Sequence, residues 1–431
     1  MLLAYSGGRD SSVLLHAVHS LSAAGALPGC QLQAVHIHHG LHPQADAWAT
    51  HCEQQAGQLG VALAVERLTL ARRAGDGGEE AVAREARYAA LLEHLAAQGR
   101  LLTAHHADDQ LETVLLALAR GAGVQGLAGM PSVQRRGKGW HLRPLLNWSS
   151  EQVAAYAHHH RLTYVDDPSN ADPRHARSYL RREVVPRLRA RWPSIAAGAV
   201  RSAAHCGAAA AQGDALARVD AGAELAVLDR LPVVSLAPLG GDRQRNLVRA
   251  WCRARGYRPP PERRLRQGLD DLLTCAQDAL PSLEWEEVAL RRYRDHLYLV
   301  CPAQIRLDDP LPSADDRLAL PAALGRLAVA PVAPGVGGLR VDPERWHAAP
   351  VRVRFRRGGE RVRLVGRAGS RSLKHLLQDW GVVPWMRGRI PLLCQGDAIV
   401  AIAGLAVTAE FAARPDAPAL EVRWEGHPSV H

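Results

Sequence analysis

Lysine is nearly missing from this chain. Lys138 and Lys374 are the only two, so the 53 basic residues that outnumber 43 acidic ones are almost all arginine, and the formal net charge is +10. A Walker A loop needs a lysine directly after its last glycine; neither lysine stands in GxxxxGK[ST], which excludes P-loop nucleotide binding. Cysteine is sparse too. The seven are odd in number, scattered and never spaced as CxxC, which argues against a disulfide framework, a cysteine zinc site or an iron–sulfur site. The histidine groups His36, His38 and His39, then His105 and His106, then His158 to His160, have no nearby cysteines and no HExxH, so they do not read as zinc ligands. No apolar run approaches the ~20 residues of a membrane helix, and the start lacks a basic segment, apolar core and cleavage site. The expectation is a soluble, cytoplasmic protein that makes no use of a membrane. Its positive charge invites a polyanion, nucleic acid above all, although an arginine- and alanine-rich composition makes only local clustering persuasive.

What is present begins with alternation. "LLAY", "LQAVHI", "VALAVERL" and "RLLTAHH" read as strands, each followed by a helical stretch: one closed by Gly25, one from about Pro43 to Leu59, one over "EEAVAREARYAALLEHLAAQG" ending at Gly99, and one over "ADDQLETVLLALARG" closed by Gly121. Repeated strand–helix units of this length predict a doubly wound parallel sheet covered on both faces, with its site at the carboxyl ends of the strands. At 431 residues the chain is expected to hold more than one domain.

That rule points to the turn Ser6–Ser11, between the first strand and the first helix. Gly7 and Gly8 let backbone N–H groups converge, and the helix start adds partial positive charge, so "SGGRDS" reads as a phosphate cradle. Ser6 and Ser11 supply hydroxyls, and Asp10 is a hard oxygen ligand suited to Mg²⁺ shared with phosphate oxygens. Arg9 reads equally as a phosphate contact or a solvated residue. Farther on, Asp109 and Glu112 stand three apart on one helix face, with His105 and Asp108 at the preceding strand end. Two carboxylates suit an ammonium to be bound or deprotonated; acids also suit any helix start. By spacing alone both readings stand.

The six-residue turn resembles the SGGxDS signature of the PP-loop ATP pyrophosphatases, a Rossmann-like group that splits ATP between its α and β phosphates. "AVHIHHGLHPQADAW", "EEAVAREARYAAL", "LLTAHHADDQLETVLLALARGAG", "RPLL", "YVDDPSNADPRHARSYLRREVVPRL" and "RWPSI" follow in order over about the first 200 residues. They closely resemble segments of the tRNA(Ile)-lysidine synthetase family, and "FRRGGERVRL" and "SLKHLLQDWGVVPWMRGRIPLLCQGDAIVAIAGL" resemble that family's C-terminal domain. The resemblance implies that ATP adenylates the C2 oxygen of the wobble cytidine of tRNA(Ile) with a CAU anticodon, and that free L-lysine then displaces AMP. It implies lysine recognition by Asp109 and Glu112, ATP handling by His105, α-phosphate activation by Arg87 in preference to Arg84, and a pocket wall from Asp166, Asn170, Arg177 and Arg181. Ser178 stands where the family more often has asparagine.

Beyond residue 200 the sequence says less. The expected organisation is a catalytic domain over 1–200, a mostly helical tRNA-binding domain over 201–310, a Pro/Gly-rich linker over 311–345 and a small α+β, basic tRNA-binding domain over 346–431. In the last, "VRVRFRRGGERVRLVGRAGSR" alternates arginine with apolar residues, so Arg354, Arg356 and Arg363 read as a basic strand face for RNA phosphates. Two rival functions remain. An idle tRNA-binding relative would not need the intact Ser6, Asp10, Asp109 and Glu112, and a tRNA thiolase would normally need paired cysteines. The sequence leaves the oligomeric state open, a homodimer included.

Overall fold

The computed structural model describes all residues except 39, 41, 69–78, 167–175, 276–280, 302–316, 322–323, 336, 429 and 431. It divides into two compact units, Met1–Ala215 and Leu216–His431.

In the first unit the elements follow as β1 (Leu2–Ala4), α1 (Arg9–Ala23), β2 (Gln33–His38), α2 (Ala45–Gln58), β3 (Ala62–Arg67), α3 (Glu79–Glu93), β4 (Arg100–Leu102), α4 (Ala107–Ala119), α5 (Val124–Leu127), β5 (Val133–Arg136), β6 (Gly139–Leu142), α6 (Ser150–His159), α7 (Ala176–Tyr179), a π-helical turn (Leu180–Val184), α8 (Val185–Arg191) and most of α9 (Ile195–Ala221), whose last residues count with the second unit. The sheet order is β3-β2-β1-β4-β6-β5. Every pair is parallel except β5 with β6, a hairpin closed by Gly137 and Lys138 that adds an antiparallel edge to the expected sheet. Successive side chains of β1 serve opposite faces. Leu3 packs with Val13, Leu14 and Leu15 of α1, whereas Leu2 packs with Tyr88 and Leu91 of α3. That split is the double winding. Strand order reverses at β1, between β2 on one side and β4 on the other, so the crevice for a ligand opens above the ends of β1 and β4.

α3 stops at Glu93 and does not continue to Gly99, although Leu95, Ala96 and Ala97 favour helix. Leu95 leaves the helix and still joins the apolar cluster of Leu91 and Leu101, while Gln98 takes φ +59° to turn the chain into β4. Packing overrides propensity here.

In the second unit, helices Gly241–Ala254 and Glu262–Thr274 bury Leu247, Trp251, Leu265 and Leu269 against a four-stranded antiparallel sheet that includes Val288–Tyr293 and His296–Val300. The middle region is thus helices on a sheet. Residues Arg326–Val332, inside the stretch expected as a linker, form a strand paired along its whole length with Ala419–Glu425. That strand pair belongs to a second four-stranded sheet, and a third carries Arg352–Arg354 beside Leu392–Gln395. Residues 302–316 lie outside the described residues.

Candidate active site

The turn after β1 is built to receive an anion. Gly7 takes φ +81°, and a Cβ there would stand 2.8 Å from Cys52 Sγ, so only glycine fits. Gly8 caps α1 without any side-chain hydrogen bond, which leaves first-turn N–H groups for a ligand. Ser6 Oγ and Ser11 Oγ lie 3.0 Å apart, and Ser11 Oγ donates to Gly8 O at 2.9 Å.

Asp10 sits in a closed circuit of polar contacts. Arg9 Nε donates to Asp10 Oδ1 at 2.9 Å and Arg9 Nη2 to Ser150 Oγ at 3.0 Å; Ser150 N donates to Asp108 Oδ2 at 2.9 Å. Asp108 faces His106 Nδ1 at 3.6 Å, and His106 Nε2 faces Asp10 Oδ2 at 3.4 Å, closing the ring. Arg189 pairs with Asp108 from outside. Burial works against charge on His106, but Asp10, Asp108 and Asp109 outweigh it and push the imidazole up to about 10. Asp108 N also points at His106 Nδ1, at 3.3 Å, as the N-cap contact of α4. Burial likewise opposes ionisation of Asp10, and His106 and Arg9 hold its carboxyl below the usual range. Sequence patterns alone did not assign a role to this second histidine of "HH", nor to Asp108, Ser150 and Arg189; the doubled HH and DD in "HHADD" were the available signal.

Asp10 is a single carboxylate, and among the described residues no three His, Cys, Asp or Glu side chains converge as a metal site. A lone carboxylate such as Asp10 is the kind of ligand Mg²⁺ would use where phosphate oxygens and water complete its octahedron.

Asp109 and Glu112 do meet. Arg181, from the π-helical turn, donates through Nε to Glu112 Oε1 at 2.7 Å and through Nη2 to Glu112 Oε2 at 3.1 Å and Asp109 Oδ1 at 3.3 Å. The Glu112 side chain is 1% exposed and that of Asp109 14%. Burial raises the Glu112 carboxyl and Arg181 opposes it, with a net rise. The pair is a largely covered clamp that holds a cation. Arg177 lies beside it, donating through Nη2 to Thr113 Oγ1 at 3.1 Å.

His105 closes the other side. Burial first, then Arg143 and Arg84, drive it down to about 2, so its ring is neutral. Arg84 is the arginine of α3 whose charge bears on His105 and His141, and its guanidinium also lies 5.4 Å over Tyr88; Arg87 is exposed. Asp166 is exposed, and Asn170 falls outside the described residues. In the second unit, Arg354 Nη1 lies 3.2 Å and Arg356 Nε 3.6 Å from Glu360, whose side chain is nearly covered, so these two arginines fold onto an acid; Arg363 is exposed. Alternation in sequence could not reveal that Glu360 gathers two of the three.

Family models match the chain as a PP-loop domain over residues 1–188, a TilS substrate binding domain over 231–298 and a TilS substrate C-terminal domain over 351–424. The tRNA(Ile)-lysidine synthase of Alkalilimnicola ehrlichii is 47% identical over 423 residues, 96% of this chain and 91% of the relative. The chain belongs to the tRNA(Ile)-lysidine synthase family. Other tRNA(Ile)-lysidine synthases agree: that of Methylococcus capsulatus is 38% identical across 98% of this chain and 95% of its own, and that of Pseudomonas aeruginosa 42% across 94% and 89%. A tRNA(Ile)-lysidine synthase is a ligase with an ATP-using PP-loop domain. Among the described residues no helix is long and apolar enough to cross a membrane.

Proposed function

We propose that this chain is a cytoplasmic enzyme that joins free L-lysine to C2 of the wobble cytidine of tRNA(Ile) with a CAU anticodon. In the first half-reaction the cytidine O2 attacks the α phosphorus of ATP and pyrophosphate leaves. In the second a lysine amino group attacks the activated C2 and AMP leaves. The observation that carries the reading is the clamp: two carboxylates already closed on a cation, one helix turn from the histidine that faces Asp10.

Each half uses its own residues. First-turn N–H groups of α1, with Ser6 and Ser11, hold the pyrophosphate portion of ATP. Asp10 would hold Mg²⁺, which neutralises phosphate charge when bound. His105, Arg177 and an arginine of α3, Arg87 by the family resemblance or Arg84 by its charge at His105, would stabilise charge that develops on the transferred phosphoryl group. Asp109 and Glu112 hold the lysine ammonium; Glu112, raised by its burial, is suited to take the proton that must leave before the amine can attack. A thiolase reading lacks support, because the described cysteines are all unpaired and Cys52, Cys252 and Cys394 are buried.

Asp109→Asn and Glu112→Gln keep shape and remove charge, leaving the phosphate turn intact. Adenylated tRNA should still form, with release of pyrophosphate. Its conversion to lysidine should demand at least about tenfold more lysine, since breaking a desolvated charge pair costs roughly 2–5 kcal/mol. Single-turnover trapping of the adenylate followed by a lysine titration measures both. Failure at adenylation with an ordinary lysine dependence would assign these carboxylates to the ATP site.

A further inference from the structure

Behind the pocket, four side chains form a line of hydrogen bonds whose direction is set by the residue at its far end. Arg143 Nη2 lies 3.2 Å from His141 Nδ1, His141 Nε2 lies 2.8 Å from Thr103 Oγ1, and Thr103 Oγ1 lies 2.8 Å from His105 Nδ1. A guanidinium has donors and no acceptor, so His141 Nδ1 must accept. The neutral ring of His141 then carries its proton on Nε2 and donates it to Thr103 Oγ1. Thr103 Oγ1 has no third hydrogen-bond partner among the described residues, so its own buried proton is satisfied only by donation to His105 Nδ1. His105, neutral as well, therefore carries its own proton on Nε2, the ring nitrogen that the line does not use.

The line is rigidly placed. Thr103, His141 and Arg143 are buried, and His141 has no exposed surface at all. Arg143 Nη1 donates to Pro131 O at 2.7 Å, Thr103 N donates to Leu142 O at 3.1 Å, and His141 sits in β6 opposite Leu101 of β4. Both histidines are neutral for the same reason: burial first, then the charge of Arg143, takes His141 down to about 3 and His105 to about 2.

We propose that Arg143, His141 and Thr103 are positioning residues that hold His105 as its neutral Nε2–H tautomer, so that it meets ATP as a hydrogen-bond donor to a phosphate oxygen. This rests on the reading that His105 faces ATP. The chemical consequence is specific. With Nδ1 occupied and Nε2 protonated, His105 has no free lone pair and cannot act as a base. Because it is neutral, it adds a directional donor beside Arg84 and Arg177 without a further positive charge, and it binds the ground-state phosphate less tightly than an imidazolium would. Preorganised neutral donors of this kind act where charge grows in the transition state.

The test uses the full chain labelled with nitrogen-15 in histidine, the ring signals assigned from the differences between wild type and the His105→Gln and His141→Gln proteins. Wild-type His105 should show a bare Nδ1, a protonated Nε2 and no second protonation at mildly acidic pH. Thr103→Val removes the hydroxyl at nearly constant shape; His105 should then populate both tautomers, and single-turnover pyrophosphate release should slow by about tenfold or more. Thr103→Ser restores the hydroxyl and should recover both the tautomer and the rate, which a purely structural role for Thr103 does not require. A proton on Nδ1 in the wild type, or an imidazolium at neutral pH, overturns the proposal without recourse to any variant. A slowed Thr103→Val with an unchanged tautomer overturns it too. If Thr103→Val mixes the tautomers at full rate, His105→Gln decides: a slow His105→Gln sinks the positioning role, whereas a fast one shows that His105 does not face ATP and sinks the reading beneath it.

Discussion

His141 has no exposed surface and shares both ring nitrogens with Thr103 and Arg143, so protonating it requires a buried cation beside a guanidinium. In the unfolded chain the same ring takes a proton near its ordinary value of 6.5; in the folded chain it waits until about 3. Between those values the unfolded state binds the extra proton, so the stability this group contributes is complete above about pH 6.5 and is lost as pH falls toward 3. The expected slope is about 1.4 kcal/mol per pH unit for one such histidine. Urea midpoints of the wild type should therefore decline from pH 6.5 to 4.5 more steeply than those of His141→Gln, whose amide can donate and accept but cannot titrate in this range. Parallel curves would show that His141 is not held neutral. At this scale the sequence was legible where function is local: Ser6, Gly7, Gly8 and Asp10 share one turn, and spacing suffices to group them. The line from Arg143 to His105 was not, because its members come from β4, β6 and the residues that follow them, and only strand pairing puts them in reach.

At the scale of elements, α4 and the π-helical turn Leu180–Val184 form one device. Helix spacing brings Asp109 and Glu112 to one face, and burial of Glu112 makes an unpaired carboxylate there costly. Arg181 meets that cost from a π-turn, a rare geometry that recurs at functional sites. On the proposed reading, in which Asp109 and Glu112 hold the lysine ammonium, the Arg181 guanidinium stands in that ammonium's place and the two would compete. Arg181→Gln should then bind free lysine about tenfold more tightly than the wild type when tRNA is absent, by titration calorimetry of the ATP-bound enzyme. Weaker binding would mean that Arg181 helps to hold lysine. The acidic pair could be read from "DDQLET", but its cation could not: Arg181 lies 72 residues from Asp109 and nothing in the local pattern joins them. The hairpin β5–β6 was missed for a related reason. "VQRRGKGWHL" shows too little apolar alternation to mark two strands, and it is held by β4 alongside as much as by its own turn.

Across the whole molecule the arginine excess divides into charge that is neutralised inside and charge that faces outward. Arg354 and Arg356 are tied to Glu360, whereas Arg352, Arg357, Arg361 and Arg363 are exposed, Arg361 with a hydrogen bond to Ser370 O at 2.7 Å. Composition could report the total, and alternation could place a strand, but neither could sort these arginines, since the sorting depends on where one acid comes to lie. The distinction is open to measurement. Neutralising Arg352, Arg357 and Arg363 together as glutamines should weaken tRNA binding and reduce the slope of log affinity against log salt by roughly one for each phosphate left without its arginine, with little change in the unfolding midpoint. Arg354→Gln should do the reverse: it leaves the nearly covered Glu360 short of a partner, so the protein should unfold earlier while the salt slope of the folded fraction stays near that of wild type. Filter binding at several salt concentrations, paired with thermal unfolding of the same samples, separates the two classes. An unchanged slope in the triple variant would mean that this face only keeps the protein in solution, and the anion that the net charge of +10 attracts would have to be bound elsewhere.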